Sequence, residues 1–134
     1  MNRPEFIVPP GYGEQQRDNY YYSQAVKIGD RVETAGQGGW TDTFEYPDKL
    51  REEYIQAFDN VGRVLKAAGV TWDDVISVHS YHVGLDDEAL AIMTEQFRLR
   101  MPSHQPIWTC IGVAALGSPR MHVEIRVTAV ISGG

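Results

Sequence analysis

From Pro106 to Val130 the chain reads PIWTCIGVAALGSPRMHVEIRVTAV. Two apolar, strand-like runs flank a turn at Gly117-Ser118-Pro119, and one carboxylate, Glu124, is set into the second run. Short runs rich in Val, Ile, Thr and Trp and bounded by turn residues read as strands. A carboxylate midway along such a strand is costly to bury without a partner or a role. Desolvation would raise its pKa and suit it to general acid or base work through water. The alternative is a structural glutamate bonded to nearby backbone or to Arg126, two residues on and on the same strand face.

Working outward, Asp86 or Asp87 caps a helix reaching about Arg100, with Leu90, Met93 and Phe97 turned inward. Residues 75–83 form a strand, with Val75, Ser77, His79, Tyr81 and Val83 on one face. A longer helix runs from an Asp48 cap to about Ala68. Its apolar face is Leu50, Tyr54, Ala57, Phe58, Val61, Val64 and Leu65, and Gly69 stops it. Residues 22–28 and 31–35 make a hairpin around Gly29-Asp30, leaving through Gly36-Gln37-Gly38-Gly39-Trp40. Residues 1–19 read as an irregular lead-in. The order is β-β-α-β-α-β-β in one α+β domain spanning 1–134. Several strands carry apolar groups on both faces, yet two helices cover only one face of a sheet. Another subunit is the expected cover for the other face.

The chain has 134 residues, 43% of them hydrophobic, and a mean hydropathy of -0.33, which suits one soluble domain with one core. No apolar run spans a bilayer and no signal-peptide layout opens the chain, so a cytoplasmic protein with no membrane partner is expected. The net charge of -6 argues against a nucleic-acid partner, because counterion release needs a basic surface. A single cysteine, Cys110, excludes an intrachain disulfide and a cysteine-based metal site. The histidines lack zinc spacing. Neither a metal nor a cofactor is expected.

Several short motifs add up in this order and spacing. Tyr22-Ser23-Gln24-Ala25-Val26, Ala35-Gly36-Gln37, Phe58-Asp59-Asn60-Val61 and Lys66-Ala67-Ala68-Gly69 precede Pro106, Cys110 and Val123-Glu124-Ile125. Over about residues 20–131 the chain resembles the Rid family (reactive intermediate deaminases, also called YjgF-like or L-PSP endoribonuclease-like proteins). The resemblance implies a chorismate-mutase-like fold, with a mostly antiparallel sheet and two helices on one face. It also implies a homotrimeric barrel with small-molecule clefts between subunits. In the family's deaminases the cleft hydrolyses imines and enamines derived from amino acids. The matching site positions are Tyr22, Gly36, Cys110 and Glu124, with Glu124 holding or polarising the attacking water.

One position departs from the pattern. Where the deaminases carry an arginine that clamps the substrate carboxylate, this chain has Trp108. An indole has one donor and no charge, so it cannot replace a bidentate guanidinium. Losing such a pair costs on the order of 2–5 kcal/mol of binding. Standard 2-imino acid deamination is therefore not expected. Trp108 either lines an aromatic pocket with Tyr22, Trp40 and Phe44 or Tyr46, or it plugs the cleft. Arg126 either reaches the cleft or forms a surface pair. His122 shares a strand face with Glu124 and is either its water-activating partner or a solvated or core histidine. The expected function is water addition to, or tautomerisation of, a small imine-like or otherwise polarised unsaturated metabolite. The alternative is a non-catalytic ligand-binding or chaperone-like trimer.

Overall fold

The computed structural model describes residues 3–131. Its strands are β1 (Glu5–Ile7), β2 (Ala25–Ile28), β3 (Arg31–Thr34), β4 (Gln37–Gly38), β5 (Val75–His82), β6 (Ile107–Gly112) and β7 (Val123–Val130). Its helices are α1 (Glu14–Tyr20), α2 (Leu50–Ala67) and α3 (Asp87–Arg100), and a single 3-10 turn spans Trp72–Asp74. The sheet order is β1-β2-β3-β7-β5-β6, with β4 also on β7. Every pairing is antiparallel except β5 with β6, so the fold is α+β with a mixed sheet.

The apolar stripe expected for the long helix is the one it buries. Tyr54, Ala57, Phe58, Val61, Val64 and Leu65 are all buried, against Val32, Val123, Ile125 and Val127 of the sheet. Each such side chain contributes roughly 1.5–3 kcal/mol, more than the roughly 1 kcal/mol of a cap. Packing therefore sets where this helix begins. Its N-cap is Lys49, with no side-chain cap bond, rather than Asp48. α3 does begin at an aspartate cap, with Asp86 accepting from the Ala89 N–H at 2.9 Å. Its buried residues are Ala89, Ile92, Met93 and Gln96, and Phe97 packs part-buried against the core, whereas Leu90 is exposed.

Three features differ from the expected layout. The lead-in is not wholly irregular: β1 adds an edge strand to β2, and α1 sits between Gly13 at φ 107° and Tyr21 at φ 60°. These left-handed residues, not an apolar period, delimit the helix. Second, β6 and β7 do not pair with each other. Each pairs with β5, because α3 carries the chain from β5 across to a parallel β6. Third, the β5–β7 register shifts between Val75 and Ser77. Such a bulge changes the side-chain alternation, so Val75 joins Val78, Ser80 and His82 in the core.

Alternation from these registers leaves Phe6, Val26, Ile28, Ile107 and Ile111 on the sheet face opposite α2 and α3, all of them exposed or part-exposed. Among the described residues no helix is long and apolar enough to cross a membrane.

Candidate functional site

Glu124 lies on β7, across from Gly38 of β4 and Tyr81 of β5. β3 and β4 run along the same edge of β7, separated by Ala35 and Gly36. The Glu124 carboxylate fills the space beside Gly36: a Cβ built there would be 2.6 Å from its Cδ. The carboxyl is half-buried, and that burial pushes its pKa above the ordinary value. Ionisation there lacks the full stabilisation of bulk water.

The carboxyl opens into a cleft of about 380 Å³. Tyr22, Trp40, Phe44 and Tyr46 supply aromatic walls, α1 adds Gln16 and Tyr20, and the loop before β7 adds Gly117, Ser118 and Met121. Burial chiefly raises the pKa of the Tyr22 and Tyr46 phenols, and the nearby Glu124 charge adds to both shifts. Phe44 is held at φ 59°, in a turn closed by its N–H donating to Thr41 O at 2.9 Å. The left-handed region is unusual for a bulky residue, and here it presents an aromatic ring to the cleft.

Hydrogen bonds behind the cleft fix its walls. Trp40 Nε1 donates to Tyr12 Oη at 2.8 Å, Tyr12 donates to Gln37 Oε1, and Gln37 Nε2 donates to Gln24 Oε1 at 2.6 Å. Asn60 Nδ2 reaches the carbonyls of Gly38 and Trp40 at 2.8 and 2.9 Å, tying this segment to α2. Gly38 and Gly39 are needed for closeness. A Cβ on Gly39 would be 2.2 Å from the Glu53 carbonyl, and one on Gly38 would be 2.6 Å from Met121 Cε. Glu53, buried on α2, accepts from the His122 N–H at 2.7 Å and contacts its Nδ1 at 2.8 Å. His122 is thus anchored to Glu53, not paired with Glu124, and it holds the cleft loop against the helix.

The remaining candidate residues do not join this cleft within one chain. Trp108 and Cys110 point to the helix-covered face, because their β5 partners are Val78 and Ser80 of the core. The Trp108 ring packs edge-on against Phe97 with centroids 5.0 Å apart, and its Nε1 donates to Ser80 Oγ at 2.9 Å. Ser80 also meets His82 Nε2 at 2.8 Å, and His82 Nδ1 meets Tyr54 Oη at 2.7 Å. Burial lowers the His82 pKa to about 4, so this ring is neutral at pH 7. Arg126 pairs with Glu33 at 3.3 Å, beside a neighbouring hollow that includes Gly36. Tyr22, Gly36, Trp40 and Glu124 are therefore brought together, whereas Trp108, Cys110 and Arg126 stand apart from them. Gln16 and Tyr20 were not legible as site residues, because α1 is a polar helix without an apolar stripe. No group of three or more His, Cys, Asp or Glu residues able to hold a metal occurs among the described residues.

The sequence profile of the Endoribonuclease L-PSP family matches residues 16–131. The RutC family protein YjgH of Escherichia coli is 36% identical over 111 residues, covering 82% of this chain and 82% of the relative. A 2-iminobutanoate/2-iminopropanoate deaminase of Dermatophagoides farinae is 33% identical over 114 residues, covering 82% of this chain and 85% of the relative. A solved structure of a protein named YJGH superposes with a TM-score of 0.81 at 30% identity, covering 97% of this chain and 98% of that one. The motifs running from Tyr22 to Glu124 thus have the origin their spacing suggested: the chain belongs to the Endoribonuclease L-PSP family, the Rid or YjgF family of reactive intermediate deaminases.

Proposed function

We propose that this protein is a cytoplasmic homotrimer, of the chorismate-mutase-like kind, that hydrolyses a small imine or enamine-like metabolite lacking a clamped carboxylate. The observation that carries the reading is Glu124: a half-buried carboxyl, raised by desolvation, facing an aromatic-walled cleft. Glu124 takes a proton from water as the hydroxyl oxygen bonds to the imine carbon, and the C=N pair moves to nitrogen. The protonated Glu124 then returns its proton to nitrogen. Glu124 then takes the hydroxyl proton as the C=O bond forms and passes it to nitrogen, which leaves with the C–N pair as the neutral amine. Such a base acts best when its pKa lies near the working pH, which an upward shift favours.

Two observations set the substrate class apart from 2-imino acids. No lysine or arginine of the same chain is among the residues lining the cleft, and Arg126 is engaged with Glu33. Trp108 stands where the family's arginine is expected. The name of the mite relative, a 2-iminobutanoate/2-iminopropanoate deaminase, supports imine chemistry in general. The exposed apolar sheet face supports a trimer, whose clefts would lie between subunits.

The test compares 2-iminobutanoate with benzaldimine, an imine with no carboxylate, each measured against its own uncatalysed rate. Both are generated in situ, and the oligomer is followed by light scattering. Accelerated loss of benzaldimine with little change for 2-iminobutanoate is the expected result. The reverse preference would overturn the substrate class, and a stable monomer would overturn the shared cleft. Saturable binding without turnover of either imine would favour a ligand-binding trimer instead.

A further inference from the structure

We propose that the cleft selects a cationic ligand, a protonated imine or primary ammonium group carried on an apolar or ring-bearing body. This deepens the reading above and rests on the same cleft. Three observations converge on a cationic N–H donor.

Aromatic faces attract cations through the ring quadrupole, and an enclosed site strengthens the attraction. Tyr22, Trp40, Phe44 and Tyr46 surround one small volume, with Tyr20 at its mouth. The single charged side chain lining that volume is the Glu124 carboxylate. Two cations lie around it, and both are engaged: Arg120, which acts on the Tyr46 phenol, faces Asp48 at 3.7 Å, and Arg63 lies over the Tyr12 ring and pairs with Asp42. A smaller hollow of about 160 Å³ shares Gln16, Trp40 and Phe44 with the cleft and adds Glu14 and Asp42 to its walls. Asp42 is ion-paired with Arg63, so the negative field at this approach comes from Glu14 and from the chain's net charge of -6, and it favours cation entry.

The third observation is Gln16. It lines the cleft at 5% exposure, and its buried Oε1 has no hydrogen-bond partner. Buried acceptors are rarely left unpaired. An N–H donor on the ligand would satisfy this one, whereas a carboxylate or ether offers no donor. A protonated imine supplies N–H donors and positive charge together, and its carbon is the more electrophilic form toward water. A reaction that oxidises a primary amine would supply such a substrate.

The probes are benzylammonium, benzyl alcohol and benzoate, three ligands of one size that differ in charge. Titration calorimetry against the full-length protein is expected to show benzylammonium binding about ten-fold or more tighter than benzyl alcohol, with benzoate weakest. Glu124→Gln should bring the first two affinities close together, and Gln16→Met should weaken benzylammonium more than benzyl alcohol. Phe44→Leu, at an exposed position, should lower benzylammonium affinity without unfolding the protein. Equal affinities in the native protein, tighter binding of benzoate, or no binding of any probe would each overturn the proposal. Turnover separates this from the reading beneath it. Cation selectivity in a protein that hydrolyses no imine leaves the ligand class standing and removes the reaction. Imine hydrolysis without cation selectivity does the opposite.

Discussion

Gly36 and Glu124 share one space. A Cβ built on Gly36 would lie 2.6 Å from Glu124 Cδ and 2.8 Å from Oε2, closer than real Cβ contacts allow. The glycine is required for room rather than for a left-handed backbone, since Gly36 is not among the residues of positive φ. The carboxylate can lie against the main chain, part-shielded from water, because nothing projects from Gly36.

Gly36→Ala is accordingly expected to act on function more than on stability. The colliding atoms belong to the end of a flexible side chain, so Glu124 moves aside at a cost of about 1 kcal/mol or less. Its carboxyl then leaves the cleft geometry, and turnover should fall at least about ten-fold, since misplacement of a reacting group costs rate steeply. Chemical denaturation and initial rates on the same sample check both parts. A large stability loss with full activity would contradict this relationship.

The Glu124 carboxyl also makes stability depend on pH, with a defined sign. Its folded pKa is raised above the ordinary 4.5 by burial. The folded chain therefore holds this proton where the unfolded chain has lost it. Stability from this group is present below pH 4.5 and is lost as pH rises through the folded pKa. Glu124→Gln removes that loss, so the variant should be more stable than the native protein at pH 7 to 8 but not at pH 4. Denaturant midpoints at the two pH values measure it.

His82 gives the opposite slope. Burial lowers its pKa to about 4 from the ordinary 6.5. Between these values the unfolded chain takes up a proton that the folded chain refuses, so stability falls as pH drops from 6.5 toward 4. The slope is at most roughly 1.4 kcal/mol per pH unit. The neutral ring is held by Tyr54 and Ser80. His82→Gln, which keeps a donor and an acceptor, should flatten this part of the profile, and unfolding curves at pH 7, 6 and 5 compare the two proteins.

Much of this architecture is legible in the chain where the physics is local. The three- and four-residue spacing from Tyr54 to Leu65 specifies the buried face of α2, and Asp86 marks the start of α3. Glu124 stands out because an isolated carboxylate interrupts an apolar strand. What escaped depends on long-range pairing. The Gly117-Ser118-Pro119 turn looks like a hairpin connection, yet β5 lies between the strands it joins, and no local residue encodes that. The face of Trp108 follows from its long-range register with Val78 of β5. α1 has no apolar period, so Gln16 and Tyr20 gave no warning of their place at the cleft. His122 was readable as a strand neighbour of Glu124, but its partner Glu53 lies 69 residues away.

The central claim is that Glu124 activates water in this cleft, and the direct test is the rate of benzaldimine hydrolysis by the native protein and by Glu124→Gln at matched oligomeric state. Loss of a positioned acid or base should lower kcat by about 10²–10⁴-fold, with benzyl alcohol still bound. A Glu124→Gln protein that turns over the imine at the native rate would contradict the account.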